Sequence, residues 1–418
     1  MAQISDDCFA FGGDLMSERD ARALIRERIS PITAREQVAL KAARGRILAT
    51  PLVAAQPVPA FDNAAVDGYA VFFADLRPDA PTDLKVKGRA TAGHPWLNEV
   101  RRGEAVRIFT GAAMPNGPDT VLMQEDCLEK DGVVRIKPGI RRGANRRLAG
   151  EDLVAGSLVL APGRRMKAAE IGLAASMGLT SLPLFRRVRV ALFSTGDEVR
   201  EPGEAVSAGT LYDSNRFVLA ALLEGLQCEV SDLGILPDDP GIIRETLRAE
   251  APRHDLIITS GGMSTGEEDH VKAAIEALGR LHFWRLSIKP GRPVAMGQIG
   301  AVPFMGLPGN PVAVMVCFLV LTRPLLERLS GATMTEPRLF RLTSGFDYKK
   351  RANRCEYIRV RLKLGEHGEW IAEKFPRDGA GILSSMTWSE GLVVLAEGIT
   401  SLAAGEPVAF LPFSEVME

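Results

Sequence analysis

The sequence predicts a multidomain α/β and β protein, built around a central doubly wound α/β domain with a mostly parallel sheet. Between Val188 and Pro311, five apolar runs alternate with helix-like segments, a pattern typical of strands buried on both faces. Each run ends in a loop of small, hydroxyl, basic or carboxylate residues. Loops at the carboxyl ends of parallel strands gather at one edge, where ligands bind. The loops therefore predict a site for a phosphate-rich ligand with a divalent cation.

Composition narrows the class of protein. At 418 residues, with 46% hydrophobic and 25% charged residues, the chain is long enough for two to four domains. A net charge of −1 gives no indication of nucleic-acid binding. The longest apolar run, Val312 to Leu321, is about half the length of a membrane span, and no secretory signal is visible. Five scattered cysteines favour a reducing cytoplasm over a disulfide framework or a thiolate metal site.

The predicted elements divide the chain into four domains. Ser17 caps a helix through Ile29, and Thr33 with Glu36 forms a capping box for a second helix ending at Gly45. Short alternating runs between Gly/Pro turns then indicate a β-rich insertion, and alternating runs near the C-terminus indicate a small β-barrel or sandwich. The predicted N-terminal domain is split between 1–50 and 148–182, and the β-rich domain is inserted at 51–147. The α/β domain is predicted at 183–330 and the C-terminal β domain at 331–418.

A glycine loop gives the clearest site signal. Ser260, Gly261 and Gly262 follow a strand and precede a helix predicted to begin near Asp269. Glycines let backbone N–H groups approach a phosphate, although a plain strand-to-helix turn explains Gly-Gly alone. Two hydroxyls and three acids in the same loop favour the functional interpretation.

Acidic residues end several of the predicted strands. Glu198, Asp238 and Asp269 could lie along one sheet edge, where Mg²⁺ takes one or two carboxylates together with substrate phosphates. Acids near helix starts are also ordinary caps. For Asp213, Ser214 and Asn215, capping and ligand contact are equally supported.

Basic residues form a second group of candidates. Arg285 and Lys289 lie four apart, so in one extended segment they would project to the same face and suit an oxyanion such as molybdate, sulfate or phosphate. Asn310, directly before Pro311, is the expected cap of a helix whose bare N-terminus makes an anion pocket. Asp67 with Gly68 is by itself only a turn signal.

Taken together, eight ordered motifs resemble one family, the molybdopterin molybdenumtransferases, called MoeA in bacteria and the gephyrin E domain in animals. The motifs are FDNAAVDGYA, RIFTGAAMP, LAGEDL, ALFSTGDEV, YDSN, ITSGGMSTGEEDH, FWRLSIKPGRP and FMGLPGNPVA. The resemblance is strong from Phe61 to Pro311 and weak towards the C-terminus.

The resemblance implies insertion of molybdenum from molybdate into adenylyl-molybdopterin, with release of AMP and assistance from Mg²⁺. It also implies a homodimer with an active site shared between subunits. Asp238 and Asp269 would hold the metal, and Asp67 would reach in from the partner subunit. The implied catalytic residues are Asp67, Glu198, Asp238, Asp269 and Lys289, and the implied substrate-binding residues are Thr110, Asp152, Thr195, Gly196, Ser214, Ser260, Gly261, Gly262, Arg285, Pro308, Gly309, Asn310 and Arg354.

The chain departs from the family pattern at two positions. Arg285 stands where the family usually has lysine, and Ala380 lacks the hydroxyl that relatives commonly have there. Arg354 is matched to a basic, molybdate-contacting residue of the family. Two other functions remain open: a molybdopterin adenylyltransferase, and a non-catalytic molybdopterin-binding or scaffold protein.

Overall fold

The computed structural model describes residues 15–261 and 270–417. Contacts within the chain separate two compact units. The larger contains the chain up to Ala49, Pro162–Lys167 and the chain from Leu182 onward, and the smaller contains Thr50–Ala161 and Ala168–Ser181. The predicted boundaries of four domains stay predictions.

The N-terminal helix is confirmed, and the second predicted helix is wrong. Glu18–Arg28 is helical, with the Ser17 side chain accepting from the backbone N–H of Asp20. The segment Arg35–Ala39 is instead a strand paired with Ser181–Phe185. A capping box contributes only about 1 kcal/mol, so pairing with a distant strand overrides this local signal.

The smaller unit contains a six-stranded sheet that is antiparallel except for one parallel pair. Gly68–Val71 lies between Thr120–Met123 and Glu104–Ile108, so the segment around Asp67 leads into an inner strand. The apolar side chains of these strands pack on both faces of the sheet. In spatial order, the strands are Thr120–Met123, Gly68–Val71, Glu104–Ile108, Thr82–Ala90, Val133–Ile136 and Cys127–Lys130.

The smaller unit also contains two short ribbons and one α-helix. Asn63–Ala64 pairs with Arg146–Arg147, and Leu52–Val53 pairs with Leu158–Leu160. The helix Ala168–Ser176 follows the second ribbon.

The central sheet of the larger unit is mostly parallel, as predicted. Four strands run parallel, and Pro293–Ile299 then pairs antiparallel with strands on both of its sides. That antiparallel strand was not predicted. In spatial order, the strands are Glu229–Leu236, Arg189–Thr195, Leu256–Ser260, Val302–Leu307, Pro293–Ile299 and Gly279–Arg285.

Helices cover both faces of this sheet, which confirms the doubly wound prediction. Leu192 and Ile258 face one core with the helices Glu18–Arg28 and Asn215–Gly225 and the helical stretch from Pro311 to Leu329. That stretch comprises Pro311–Cys317, a π-helical turn at Phe318–Thr322, and Arg323–Leu329. The opposite core is covered by Pro240–Glu250 and His270–Leu278.

The C-terminal region of the larger unit is a small barrel rather than a sandwich. Its five strands close into a ring, because Cys355–Leu364 pairs with both Trp370–Lys374 and Gly391–Leu395. Ile288–Lys289 joins the same sheet as a short parallel strand beside Cys355 and Glu356. The ring strands in order are Cys355–Leu364, Trp370–Lys374, Phe340–Ser344, Pro407–Pro412 and Gly391–Leu395.

The remaining described elements of the larger unit are short. Ser384–Trp388 is a helix, Val199–Arg200 pairs with Leu211–Tyr212, and Tyr348–Lys349 pairs with Ser401–Leu402. Within residues 15–261 and 270–417, no helix is long and apolar enough to cross a membrane.

Candidate functional site

The glycine loops of the larger unit meet at the carboxyl edge of the central sheet. Ser260 pairs with Ser194 on one neighbouring strand and with Leu307 on the other. Gly261 has a φ of +88°, and a Cβ atom there would lie 2.9 Å from the carbonyl oxygen of Thr195. Only glycine fits this close approach. The structure therefore brings together the loops after three parallel strands.

Asn215 joins two of these loops. Its Nδ2 donates to Ser260 Oγ at 2.9 Å and to the Gly309 carbonyl at 2.8 Å. Asn215 is the first residue of the helix Asn215–Gly225. The preceding Asp213 accepts from the backbone N–H of Arg216 at 3.1 Å and from its Nε at 3.0 Å, which shows a capping role. Ser214 makes no capping bond with its side chain in the described structure.

Several side-chain oxygens at this edge lack a partner. In the part of the chain that the structure describes, Ser194 Oγ, Thr195 Oγ1, Thr259 Oγ1 and Asn215 Oδ1 are buried without a hydrogen bond. A buried oxygen without a partner is costly and uncommon. The edge therefore offers unfilled hydrogen-bonding capacity next to the glycine loops.

Two of the predicted acids follow neighbouring parallel strands. Glu198 is exposed and follows Arg189–Thr195, and Asp238 follows Glu229–Leu236. Asp269 and Gly262 lie outside the described residues. Among the residues that are described, no group of three or more His, Cys, Asp or Glu side chains is placed to hold a metal ion. Mg²⁺ needs only one or two carboxylates when phosphates supply other ligands, so the donor chemistry at this edge fits it.

A cleft of about 290 Å³ opens in the larger unit between the loop after Val302–Leu307 and the barrel. Pro308 and Asn310 line it from the central domain, whereas Lys289 lines it from the short barrel strand Ile288–Lys289. The barrel contributes charged and aromatic side chains. These are Tyr348, Glu356, Tyr357, Arg359, Lys374, Phe375 and Asp378.

A buried carboxylate fixes the cations on one wall of the cleft. Glu356 is 1% exposed and accepts from the Tyr348 hydroxyl at 2.8 Å and from Arg354 Nε at 2.7 Å. Lys289 Nζ lies 3.3 Å from the same carboxylate. Burial by itself raises the pKa of Glu356, but the hydrogen bonds from Tyr348 and Arg354 and the charge of Lys289 outweigh it, so the pKa is lowered. Burial and the adjacent Glu356 raise the pKa of Tyr348, which keeps the phenol protonated as a donor.

Arg359 is one of several cleft residues that the sequence analysis missed. Its Nη1 donates to the Gly379 carbonyl at 2.6 Å and to Ser385 Oγ at 3.1 Å. Burial lowers the pKa of Arg359, and the nearby Asp378 opposes this effect. Arg354, which the resemblance matches to a molybdate-contacting residue, is held against Glu356, and its contact with molybdate stays a prediction.

The prediction that Arg285 and Lys289 share one extended segment is wrong. Arg285 ends a strand of the central sheet and pairs with Pro293, whereas Lys289 pairs with Glu356 in the barrel sheet. The chain crosses from the central sheet to the barrel sheet between Arg285 and Lys289. Leu286 and Ile288, in this crossing, are buried in the core. Lys289 is therefore placed by the barrel. Its side chain is 49% exposed.

In the smaller unit, Asp67 and Thr110 form a pair. Thr110 donates to Asp67 Oδ1 from its backbone N–H at 2.8 Å and from its hydroxyl at 2.7 Å. These two bonds hold the pKa of Asp67 below its ordinary value. The residue after Asp67 must be glycine, because a Cβ atom at Gly68 would lie 1.6 Å from the Leu122 carbonyl oxygen. Asp152 is exposed in a separate loop, where its backbone N–H bonds to Val58.

The fold places the chain among α/β proteins with a mostly parallel sheet, a class in which ligands generally bind at the carboxyl edge. Three family models match successive parts of the chain. They are the MoeA N-terminal region (domain I and II) over residues 16–178, a probable molybdopterin binding domain over 191–328, and the MoeA C-terminal region (domain IV) over 341–413.

Individual relatives agree with these matches. A molybdopterin molybdenumtransferase of Haemophilus influenzae is 37% identical over 95% of this chain and 98% of its own length. One from Nostoc sp. is 34% identical over 90% of this chain and 88% of its own length. The crystal structure of the molybdopterin biosynthesis moeA protein from Pyrococcus horikoshii superposes with a TM-score of 0.81 at 28% identity, covering 96% of this chain and 100% of that one. The chain belongs to the molybdopterin molybdenumtransferase family.

Proposed function

We propose that this protein inserts molybdenum from molybdate into adenylyl-molybdopterin and releases AMP. The observation that carries the proposal is that the neutral glycine loops and the cationic cleft adjoin each other in the larger unit. The neutral glycine loops contact the 307–311 loop through Asn215, and Pro308 and Asn310 of that loop line the cationic cleft. A phosphate-bearing organic substrate and a small oxyanion would thus be held side by side.

The neutral edge suits the pterin and its phosphates. Backbone N–H groups at a glycine loop and at a helix start are ready phosphate donors. Ser260, Gly261 and Gly262, together with Pro308, Gly309 and Asn310, would cradle these groups. Thr195, Gly196 and Ser214 border the same loops, and the buried oxygens of Thr195 and Asn215 have capacity for further bonds.

The cleft suits molybdate. Lys289 and Arg359 present fixed positive charge, and a charge-assisted hydrogen bond to an oxyanion is roughly twice as strong as a neutral one. Glu356 holds Lys289 in place from behind. Arg285 would lie near the oxyanion or the phosphates, and Arg354 would act through Glu356. This position for Lys289 would bring molybdate to the end of the substrate held by the 307–311 loop.

Acids at the sheet edge would hold Mg²⁺. Asp238 and Asp269 are proposed as its protein ligands, with the substrate phosphates completing the set, and Glu198 lies on the neighbouring loop. Bound Mg²⁺ would neutralise negative charge on the phosphoanhydride. The acidic residues at this edge would orient the phosphates and exclude alternative substrate poses.

We further propose a cytoplasmic homodimer in which Asp67, Thr110 and Asp152 complete the partner's site. Asp67 and Thr110 form a pre-ordered pair with a depressed carboxyl pKa, which suits a residue that must stay ionised. Mixing an Asp67→Asn subunit with a Lys289→Ala subunit should recover part of the activity through one intact composite site. No recovery after verified subunit exchange would place each site within one chain.

The activity has a direct test. Purified protein, adenylyl-molybdopterin and Mg²⁺ should release AMP on addition of molybdate and little without it. If the protein instead consumes ATP and adenylylates molybdopterin, it is an adenylyltransferase. If it binds molybdopterin-AMP without turnover under either condition, the scaffold alternative holds.

A further inference from the structure

One ion pair in the cleft has no role in the function proposed above. Lys374 Nζ lies 3.0 Å from Asp378 Oδ1. Both residues line the cleft that also contains Lys289 and Arg359. Lys374 ends the strand Trp370–Lys374, and Asp378 lies in the loop that follows.

The two partners differ in their freedom to move. The Lys374 side chain is 20% exposed, whereas that of Asp378 is 70% exposed. A mostly exposed carboxylate gains little from such a pair and can leave it at little cost. The ammonium, in contrast, stays in the cleft.

Lys374 also shares an aromatic neighbour with Lys289. Their Nζ atoms lie 5.9 Å and 6.0 Å from the centre of the same Tyr348 ring. The Tyr348 hydroxyl is fixed by Glu356 at 2.8 Å. Two ammonium groups are therefore held around one immobilised ring. Lys289 already has a buried counter-ion, but the counter-ion of Lys374 is removable.

We propose that Asp378 is a built-in competitor for the anion site: its carboxylate occupies Lys374 in the empty cleft, and an entering tetrahedral oxyanion displaces it and takes Lys374 as a further cationic contact. This inference rests on the proposed function, because it assigns a further binding residue and its regulator to the same cleft. It makes opposite predictions for the two partners, which a purely structural ion pair does not.

Calorimetric titration of molybdate into the full-length protein tests the proposal. Lys374→Ala should weaken molybdate binding by about three- to tenfold, and Asp378→Asn should tighten it by about two- to fivefold. In the Lys374→Ala background, Asp378→Asn should have a smaller effect than in the wild type, since the carboxylate no longer has a lysine to occupy and acts only through its charge near Arg359.

Two matched controls separate this local effect from net charge. Lys363→Ala removes an exposed ammonium from the neighbouring strand, and Glu373→Gln removes a carboxylate whose partner, Arg361, lies 2.7 Å away and does not line the cleft. Both should leave molybdate affinity within about twofold of the wild type.

The proposal would be overturned if Lys374→Ala and Asp378→Asn weakened molybdate binding equally. It would also be overturned if Glu373→Gln tightened molybdate binding as much as Asp378→Asn does. If the wild type releases AMP but Lys374→Ala binds molybdate normally, this inference fails and the proposed function stands. If the wild type neither binds molybdate nor releases AMP, both fail.

Discussion

The carboxyl edge of the central sheet and the barrel-side cleft lie in the same unit but are built from opposite kinds of chemistry. The edge consists of glycine backbone, hydroxyls and the Asn215 amide, and four of its buried oxygens lack partners within the described chain. The cleft contains the cations Lys289, Arg359 and Lys374, and the buried Glu356 holds Lys289. Neutral hydrogen-bonding groups suit a large ligand with several contact points, whereas fixed charges suit a small anion of high charge density. This difference underlies the proposed division of labour between two ligands.

The largest effect should come from removing the cleft's anchored ammonium. Lys289→Ala should raise the molybdate concentration for half-maximal AMP release by about 10- to 150-fold, the value of a charge-assisted hydrogen bond of roughly 1.5–3 kcal/mol. Lys363→Ala, which removes an exposed lysine outside the cleft, is the matched control. A normal molybdate dependence in Lys289→Ala would remove this residue from the anion site.

The next effect concerns the carboxylate that organises the cleft. Glu356→Gln should lower the free energy of unfolding by about 2 kcal/mol at pH 7, because it weakens charged hydrogen bonds at a buried position. Glu373→Gln, in an exposed ion pair with Arg361, should change it by only about 0.5 kcal/mol. Denaturant unfolding measures both values.

The pH dependence of that stability difference has a definite sign. Because the pKa of folded Glu356 lies below its ordinary value of 4.5, its ionised form stabilises the fold above that value. The contribution is lost as the pH falls from about 4.5 through the lowered pKa, so the wild type and Glu356→Gln should converge on acidification. A gap that stays constant from about pH 7 to pH 3 would show that proton linkage at Glu356 is absent.

A smaller effect is expected at the neutral edge. Asn215→Ala removes the bonds to Ser260 Oγ and the Gly309 carbonyl, each worth about 1 kcal/mol. The affinity for molybdopterin-AMP should fall by about fivefold, measured by equilibrium binding. Asn98→Ala, the same substitution at an exposed position of the smaller unit, is the control. A normal affinity in Asn215→Ala would show that the loops keep their shape without it.

The two regions also differ in how far the sequence predicts them. The edge follows from local patterns: apolar runs ending in small residues predicted strands such as Leu256–Ser260 and Val302–Leu307, and the topology then brings their loops together. The unpredicted strand Pro293–Ile299 shows the limit of this reasoning. Its run of residues is interrupted by Gly297, and its pairing depends on two neighbours.

The cleft could not be predicted in the same way. Lys289, Tyr348, Glu356 and Lys374 carry no common motif, and Lys289 reaches the cleft because Ile288–Lys289 pairs with the barrel strand at Cys355 and Glu356. The choice between Arg354 and Arg359 depends on which side chain the buried Glu356 engages. That information lies in tertiary packing rather than in local spacing. For the same reason, Thr33 and Glu36 predicted a helix where strand pairing prevails.

The most direct test of this division of labour is the reciprocal binding measurement. Molybdopterin-AMP affinity is measured in Lys289→Ala, and molybdate affinity is measured in Asn215→Ala, each by calorimetry against the wild type. Each variant should bind the ligand of the other region within about twofold of the wild-type affinity. If Lys289→Ala loses molybdopterin-AMP while its molybdate affinity is unchanged, Lys289 belongs to the phosphate site and the division of labour is wrong.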